Sequence, residues 1–192
     1  MREFLVAGES SGDRLGAALM AGLKALREDV EFVGIGGPQM RAEGLDSLFP
    51  MDDLAVMGLA EILPRYRQLR ARLDQAARAA IVARPDVLVT IDSPDFCLRM
   101  VRRVKRRIDV RAVHYVAPSV WAWRPGRARR MAQVIDHVLA LLPFEPPLME
   151  AAGMDCDFVG HPVVSEPLAT GGEIAAMRAR HGLGDAPLLL AL

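Results

Sequence analysis

The sequence predicts a doubly wound α/β fold of the Rossmann-like kind, a parallel sheet with helices on both faces. Three observations carry this. Short, continuously apolar runs recur, Phe4–Ala7 and Val87–Ile91 being the clearest, and such runs suit strands buried on both faces. Stretches of helical periodicity alternate with them. Glycine or aspartate closes the runs, as at Gly8, at Gly34, Gly36 and Gly37, and at Asp92.

Taken in order, Phe4–Ala7 is a strand closed by Gly8, and a helix runs from there to about Arg27. Residues 30–35 repeat the strand pattern. Pro64 is expected in the first turn of a helix, where its missing N–H costs nothing. Tyr66, Leu69, Leu73, Ala77 and Ile81 mark one face of that helix, and Arg84-Pro85 stops it. Residues 86–91 form the strongest strand. Cys97, Val101, Val104 and Ile108 are the apolar stripe of the next helix, with Arg99, Arg102, Arg103 and Arg106 opposite. Strands follow at 110–116, 137–142 and 156–159. Residues 165–172 read as a linker, followed by a helix at about 173–181 and a last strand at 187–192.

The 192 residues are 52% hydrophobic and 25% charged, which excludes a disordered chain and a coiled-coil scaffold. That length suits one α/β domain of roughly 100–200 residues. No run of ~18 uncharged apolar residues exists, so no spanning helix is expected. The chain passes straight into Arg2–Val6 without a signal-peptide pattern, and a cytoplasmic location is the expectation. Cys97, Cys156 and the four histidines show no metal-ligand spacing and no disulfide framework, so no metal site is expected; no cofactor is expected either.

The net charge of +0 hides an uneven distribution. Residues 61–130 hold 17 Lys and Arg against 6 Asp and Glu, while both flanks are acidic. A basic middle steers polyanions, phosphorylated substrates or an anionic membrane; a solvated helix face is the plainer reading. Nucleic acid is disfavoured, because the basic run lacks interleaved aromatics.

Three loops carry chemistry-bearing residues. Gly8-Glu9-Ser10-Ser11-Gly12-Asp13 opens the first helix, where free N–H groups and the helix dipole suit an anion. It matches Gly-x-Ser-x-Gly, but only seven residues precede it, too few for the oxyanion loop that a nucleophilic Ser10 would need. Asp92-Ser93-Pro94-Asp95-Phe96 closes the strongest strand, at the sheet edge where open α/β folds bind ligands. One aspartate as helix cap and one as general base is the economical division, with Asp95 favoured as base. Residues 114–124, containing both tryptophans, place His114, Ser119, Trp121 and Arg124 at another strand end, and Gly160-His161-Pro162 is a third such loop. Residues 54–63 are apolar with one charge, core by default and otherwise an acyl or membrane contact.

The blocks AGESSGDRLGA (7–17), GIGGPQM (34–40), LAVMGLAEIL (54–63), IDSPDF (91–96), HYVAPSVWAWR (114–124), LLPFEP (141–146) and FVGHP (158–162) together resemble the lipid-A-disaccharide synthase family, in that family's order. Cys97 stands where the family pattern has Asn after PDF. The resemblance implies an inverting glycosyltransferase of the two-domain GT-B architecture. Its reaction joins UDP-2,3-diacylglucosamine to the 6-hydroxyl of 2,3-diacylglucosamine 1-phosphate, giving the β-1,6-linked disaccharide 1-phosphate and UDP. It implies no metal, an aspartate of IDSPDF as base, and peripheral attachment to the cytoplasmic face of the inner membrane; a homodimer of the full-length protein is compatible with it.

On that basis Asp95 is expected to be catalytic. Glu9, Ser11, Asp13, Asp92, His114, Ser119, Trp121, Arg124 and His161 are expected to bind substrate. Val56, Met57 and Leu59, with Arg99, Arg102, Arg103 and Arg106, are expected to meet acyl chains or the membrane. The expected organisation is an acceptor domain over 1–164, a linker over 165–172 and the start of a donor domain over 173–192, the rest of that domain being absent. The fragment alone is expected to be inactive. Competing readings are another sugar-nucleotide enzyme resembling UDP-GlcNAc epimerase, and a polyanion-binding module.

Overall fold

The computed structural model describes residues 1–54, 59–122, 126–165, 167–184 and 186–188, without the side chains of 59–63 and 165. Seven strands form one sheet: β1 (Arg2–Ala7), β2 (Glu31–Ile35), β3 (Asp46–Ser47), β4 (Val87–Ile91), β5 (Arg111–Tyr115), β6 (His137–Ala140) and β7 (Asp155–Phe158). Their order is β3-β2-β1-β4-β5-β6-β7, and every pairing is parallel. From β1 the chain winds outward one way to β3, then crosses back to β4 and winds the other way. The reversal lies between β1 and β4, where Glu3 pairs with Val87 and Ala7 with Ile91. The short two-residue β3 escaped the sequence reading because it has no apolar run of its own.

The helices are α1 (Ser10–Leu26), α2 (Pro38–Ala42), α3 (Leu59–Ala83), α4 (Pro94–Lys105), α5 (Gly126–Met131), α6 (Pro146–Glu150) and α7 (Gly171–Arg180). Side chains alternate along each strand, so the sheet feeds two cores. Leu5, Ala7, Val89, Ile91 and Tyr115 meet Leu15 and Met20 of α1 and Met40 of α2. Phe4, Val6, Leu88, Ala112 and Val138 meet Leu73, Ala76, Ala77 and Ala80 of α3, and Cys97, Met100, Val101 and Val104 of α4. Double-sided burial is why β1 and β4 read as unbroken apolar runs. Glu3 is the buried polar residue of β1, its Oε2 without a hydrogen-bond partner among the described residues; desolvation raises its carboxyl pKa.

Several expectations need correction. Pro64 lies inside α3, since the helix already begins at Leu59; the ring forfeits one helical hydrogen bond, which a 25-residue helix absorbs. Tyr66 is 55% exposed, so the buried stripe of α3 begins in earnest at Leu73, where the helix reaches the sheet. On α4 the stripe is Cys97, Met100, Val101 and Val104, whereas Ile108 packs as a half-buried residue beyond the helix end. Asp53 binds Arg72 of α3 at 2.6 Å, and the Arg72 guanidinium lies 4.6 Å over the Phe49 ring, tying the segment before α3 to the helix.

Met1–His161 is one compact unit and Pro162–Leu192 a second. In the second, α7 starts at Gly171, two residues earlier than expected, because Thr170 and Glu173 form a reciprocal capping box. Pro187 and Leu188 have no regular structure, and 189–192, most of the expected last strand, lie outside the described residues.

Candidate active site at the strand switch

The carboxyl ends of β1 and β4 lie side by side at the reversal of strand order, and two of the sequence motifs emerge there. Glu9 is the N-cap residue of α1, and Asp92-Ser93 leads from β4 into α4, with Pro94 in the first turn. The β4 turn is strained: Asp92 (φ 53°) and Ser93 (φ 43°) are both left-handed, a conformation that costs a non-glycine residue about 1–2 kcal/mol. The β5 end is strained as well, with β-branched Val116 at φ 85°. Backbone bonds from Asp92 N–H to Tyr115 O and from Val116 N–H to Leu139 O carry the ladder beyond the strands and fix these ends.

Two hydroxyl–carboxylate contacts cross between the loops. Ser11 Oγ donates to Asp92 Oδ2 at 3.5 Å, and Ser93 Oγ donates to Glu9 Oε1 at 3.4 Å. Asp92 Oδ1 also accepts the Ser93 N–H at 2.9 Å, so both oxygens of Asp92 are engaged. The approach is close enough that a Cβ added at Gly8 would stand 2.6 Å from Ser93 Oγ, which is why a glycine opens this motif. Asp95 sits exposed in the first turn of α4 and makes no hydrogen bond among the described residues. Of the two aspartates, Asp95 is therefore the one whose carboxylate has no hydrogen-bond partner among the described residues.

Asp13 does not line this edge. It is 2% exposed, and its carboxylate accepts N–H bonds from Gly37 (2.8 Å), Gln39 (2.9 Å) and Met40 (3.0 Å), capping α2. Buried and held by three backbone donors, this carboxylate is turned into the α1–α2 contact rather than out to a sugar. His114 is also misassigned by the sequence reading: it belongs to β5, is 1% exposed, and its Nδ1 lies 2.7 Å from Thr90 Oγ1 on β4. Burial pushes its pKa down to about 4, so it is a neutral core residue. Cys97 is fully buried; desolvation first, then the charge of Asp92, raises its thiol pKa strongly.

Farther along the edge, Ser119 is exposed, and Trp121 (54% exposed) meets Phe144 (50% exposed) edge-on, with centroids 5.5 Å apart at 87°. Phe144 was not singled out from sequence; its position in LLPFEP, one strand end from Trp121, was the available signal. Ser93 was missed too, because a serine before proline looks like an ordinary turn residue. His161 is exposed after β7, three strand spacings from β4, about 15 Å at ~4.8 Å each, so it is not gathered with Glu9, Ser11 and Asp92. Arg124, Val56 and Met57, and the side chain of Leu59, lie outside the described residues.

On α4, Arg99, Arg102 and Arg106 are exposed, Arg102 reaching Gln133 at 3.5 Å. Arg103 is half-buried and turned toward α3, bound to Asp74 at 3.2 Å, so it is not a free surface cation.

Comparison with known proteins agrees with these motifs. The lipid-A-disaccharide synthetase family matches residues 3–192. The lipid-A-disaccharide synthase of Ruegeria pomeroyi is 67% identical over 192 residues, covering 100% of this chain and 48% of that protein. That of Rhodospirillum centenum is 56% identical (98% and 48%), and that of Azotobacter vinelandii 50% (100% and 50%). The chain thus spans about half the length of these relatives. Among solved structures, UDP-GlcNAc 2-epimerase from Neisseria meningitidis bound to UDP-GlcNAc is similar in fold, with a TM-score of 0.58 at 8% identity over 85% of this chain and 47% of that one. The lipopolysaccharide outer core galactosyltransferase WaaB, apo form, gives 0.54 at 12% identity over 84% and 46%. The Rossmann-like sheet, the ordered motifs and the family match agree, and the chain belongs to the lipid-A-disaccharide synthetase family.

Proposed function

We propose that this chain supplies the acceptor side of an inverting glycosyltransferase that makes the lipid A disaccharide, with Asp95 as general base. The supporting observation is the division of labour at the β4 turn. Asp92 already accepts from Ser93 N–H and Ser11 Oγ, while Asp95, directly after Pro94, is exposed and makes no hydrogen bond among the described residues. Inversion needs the acceptor 6-hydroxyl to attack the anomeric carbon of the UDP-sugar from the side opposite UDP. As that C–O bond forms and the bond to UDP breaks, the hydroxyl proton passes to the Asp95 carboxylate. Glu9 and Ser11 wall the acceptor sugar, Ser119 and the Trp121–Phe144 pair extend the edge, and His161 serves a more distant part of the substrate.

The exposed Arg99, Arg102 and Arg106 suit the anionic cytoplasmic face of the inner membrane, from which both lipid substrates would be drawn. The donor nucleotide is assigned to the part of the relatives that this chain does not match, so residues 1–192 alone should release no UDP. The test is Asp95→Asn in a protein in which this chain is completed by the second half of the Ruegeria pomeroyi relative. Disaccharide formation should fall by about 10²–10⁴-fold with UDP-sugar binding unchanged. Turnover at the unsubstituted rate would remove Asp95 as base.

A further inference from the structure

The crossed contacts between the two loops assign a role to a residue outside every expectation above. Each loop gives one hydroxyl and receives one: Ser11 of the β1–α1 loop binds Asp92, and Ser93 of the β4–α4 turn binds Glu9. Ser93 holds this place in a left-handed conformation (φ 43°, ψ 53°) that glycine would adopt more readily. Its hydroxyl also fills the space over Gly8. A turn needing only a tight bend is better served by glycine, so the serine side chain has work beyond the bend.

We infer that Ser93 is a positioning residue, whose hydroxyl holds the Glu9 carboxylate at the mouth of the switch-point crevice against the acceptor sugar. This rests on the acceptor-side reading and deepens it. Glu9 is exposed at the start of α1, where an unrestrained side chain would sample several rotamers. A donor on one of its oxygens leaves the other free for a sugar hydroxyl.

The experiment uses the completed protein described above, with UDP-diacylglucosamine and diacylglucosamine 1-phosphate. Ser93→Ala removes the hydroxyl, and Ser93→Gly removes it while relieving the left-handed strain. Both should raise KM for the acceptor about three- to tenfold, with kcat and the donor KM little changed. In a Glu9→Ala background, where no acceptor is left for the Ser93 hydroxyl, the further effect of Ser93→Ala on acceptor KM should shrink toward onefold, because the two residues act through one contact. A purely structural role predicts an unchanged acceptor KM for the glycine variant, whatever its melting temperature. That result, or effects of Ser93 and Glu9 substitutions that simply multiply, would overturn the assignment. If the unsubstituted completed protein makes no disaccharide, the functional reading fails, and this role with it; if it does and the Ser93 variants match it, only the positioning role fails.

Discussion

Asp92 and Asp95 are three residues apart on one turn, yet their chemistry is separated by what each carboxylate already holds. Asp13 and His114 are likewise held by buried partners, the Asp13 carboxylate by backbone N–H groups and the His114 ring by Thr90. From sequence, an aspartate in a glycine loop and a histidine near a strand end look alike as ligands, because neither hydrogen-bond partners nor strand register is written locally. The His114 ring has a testable consequence. With a folded pKa near 4 against about 6.5 unfolded, the ring is neutral in the fold while the unfolded chain takes up a proton first. Its contribution is therefore full above about pH 6.5 and lost as pH falls toward 4, by roughly 3 kcal/mol at most. His114→Gln should flatten the stability difference between pH 7 and pH 4.5 in urea titrations; an unchanged slope would show that the ring is not neutral and buried.

At the scale of elements, one side chain of α1 caps the start of α2. The carboxylate of Asp13 replaces the missing acceptors of the first turn of α2, and a Cβ at Gly37 would lie 2.6 Å from its Oδ2. Asp13→Ala strands three N–H groups and should cost about 3 kcal/mol, read as a shift in the urea midpoint; Asp13→Asn, which can satisfy fewer of them, should fall between. Elements with strong, continuous signals were legible: β1, β4, α1 and the apolar side of α4 lie where the sequence puts them. What was not legible had a physical reason in each case. Tyr66 shares the period of Leu73, but α3 overhangs the sheet at that end, and period alone does not say where the sheet stops. Pro64 looked like a start because a first turn tolerates it without loss, whereas an internal proline is visible only once the preceding turn is seen to be helical.

For the whole molecule, the excess of basic residues in the middle third resolves into a surface and a set of ties. Arg103 binds Asp74, Lys105 binds Asp136 and Arg72 binds Asp53, so part of the charge holds helices and loops together. Arg99, Arg102 and Arg106 remain on the outer side of α4. The chain should float with vesicles containing anionic lipid at low salt and release as salt shortens the Debye length below about 8 Å. Arg99→Glu with Arg102→Glu and Arg106→Glu should abolish flotation without shifting the melting temperature by more than a few degrees; flotation that survives would assign the attachment elsewhere.

The pairing of β1 with β4 also bears on how the molecule forms. Ala7 and Ile91 are neighbours in the sheet but 84 residues apart in the chain, while β1 and β2 meet through a short local connection. Closing so long a loop is entropically slower than closing a short one, and contacts of high sequence separation govern folding rate. The β1–β2 unit can therefore assemble early, whether on the ribosome or from denaturant. The seam holding Glu9, Ser11, Asp92 and Ser93 exists only after β4 has docked beside it. In this topology the chemistry sits on a junction that is among the last to close.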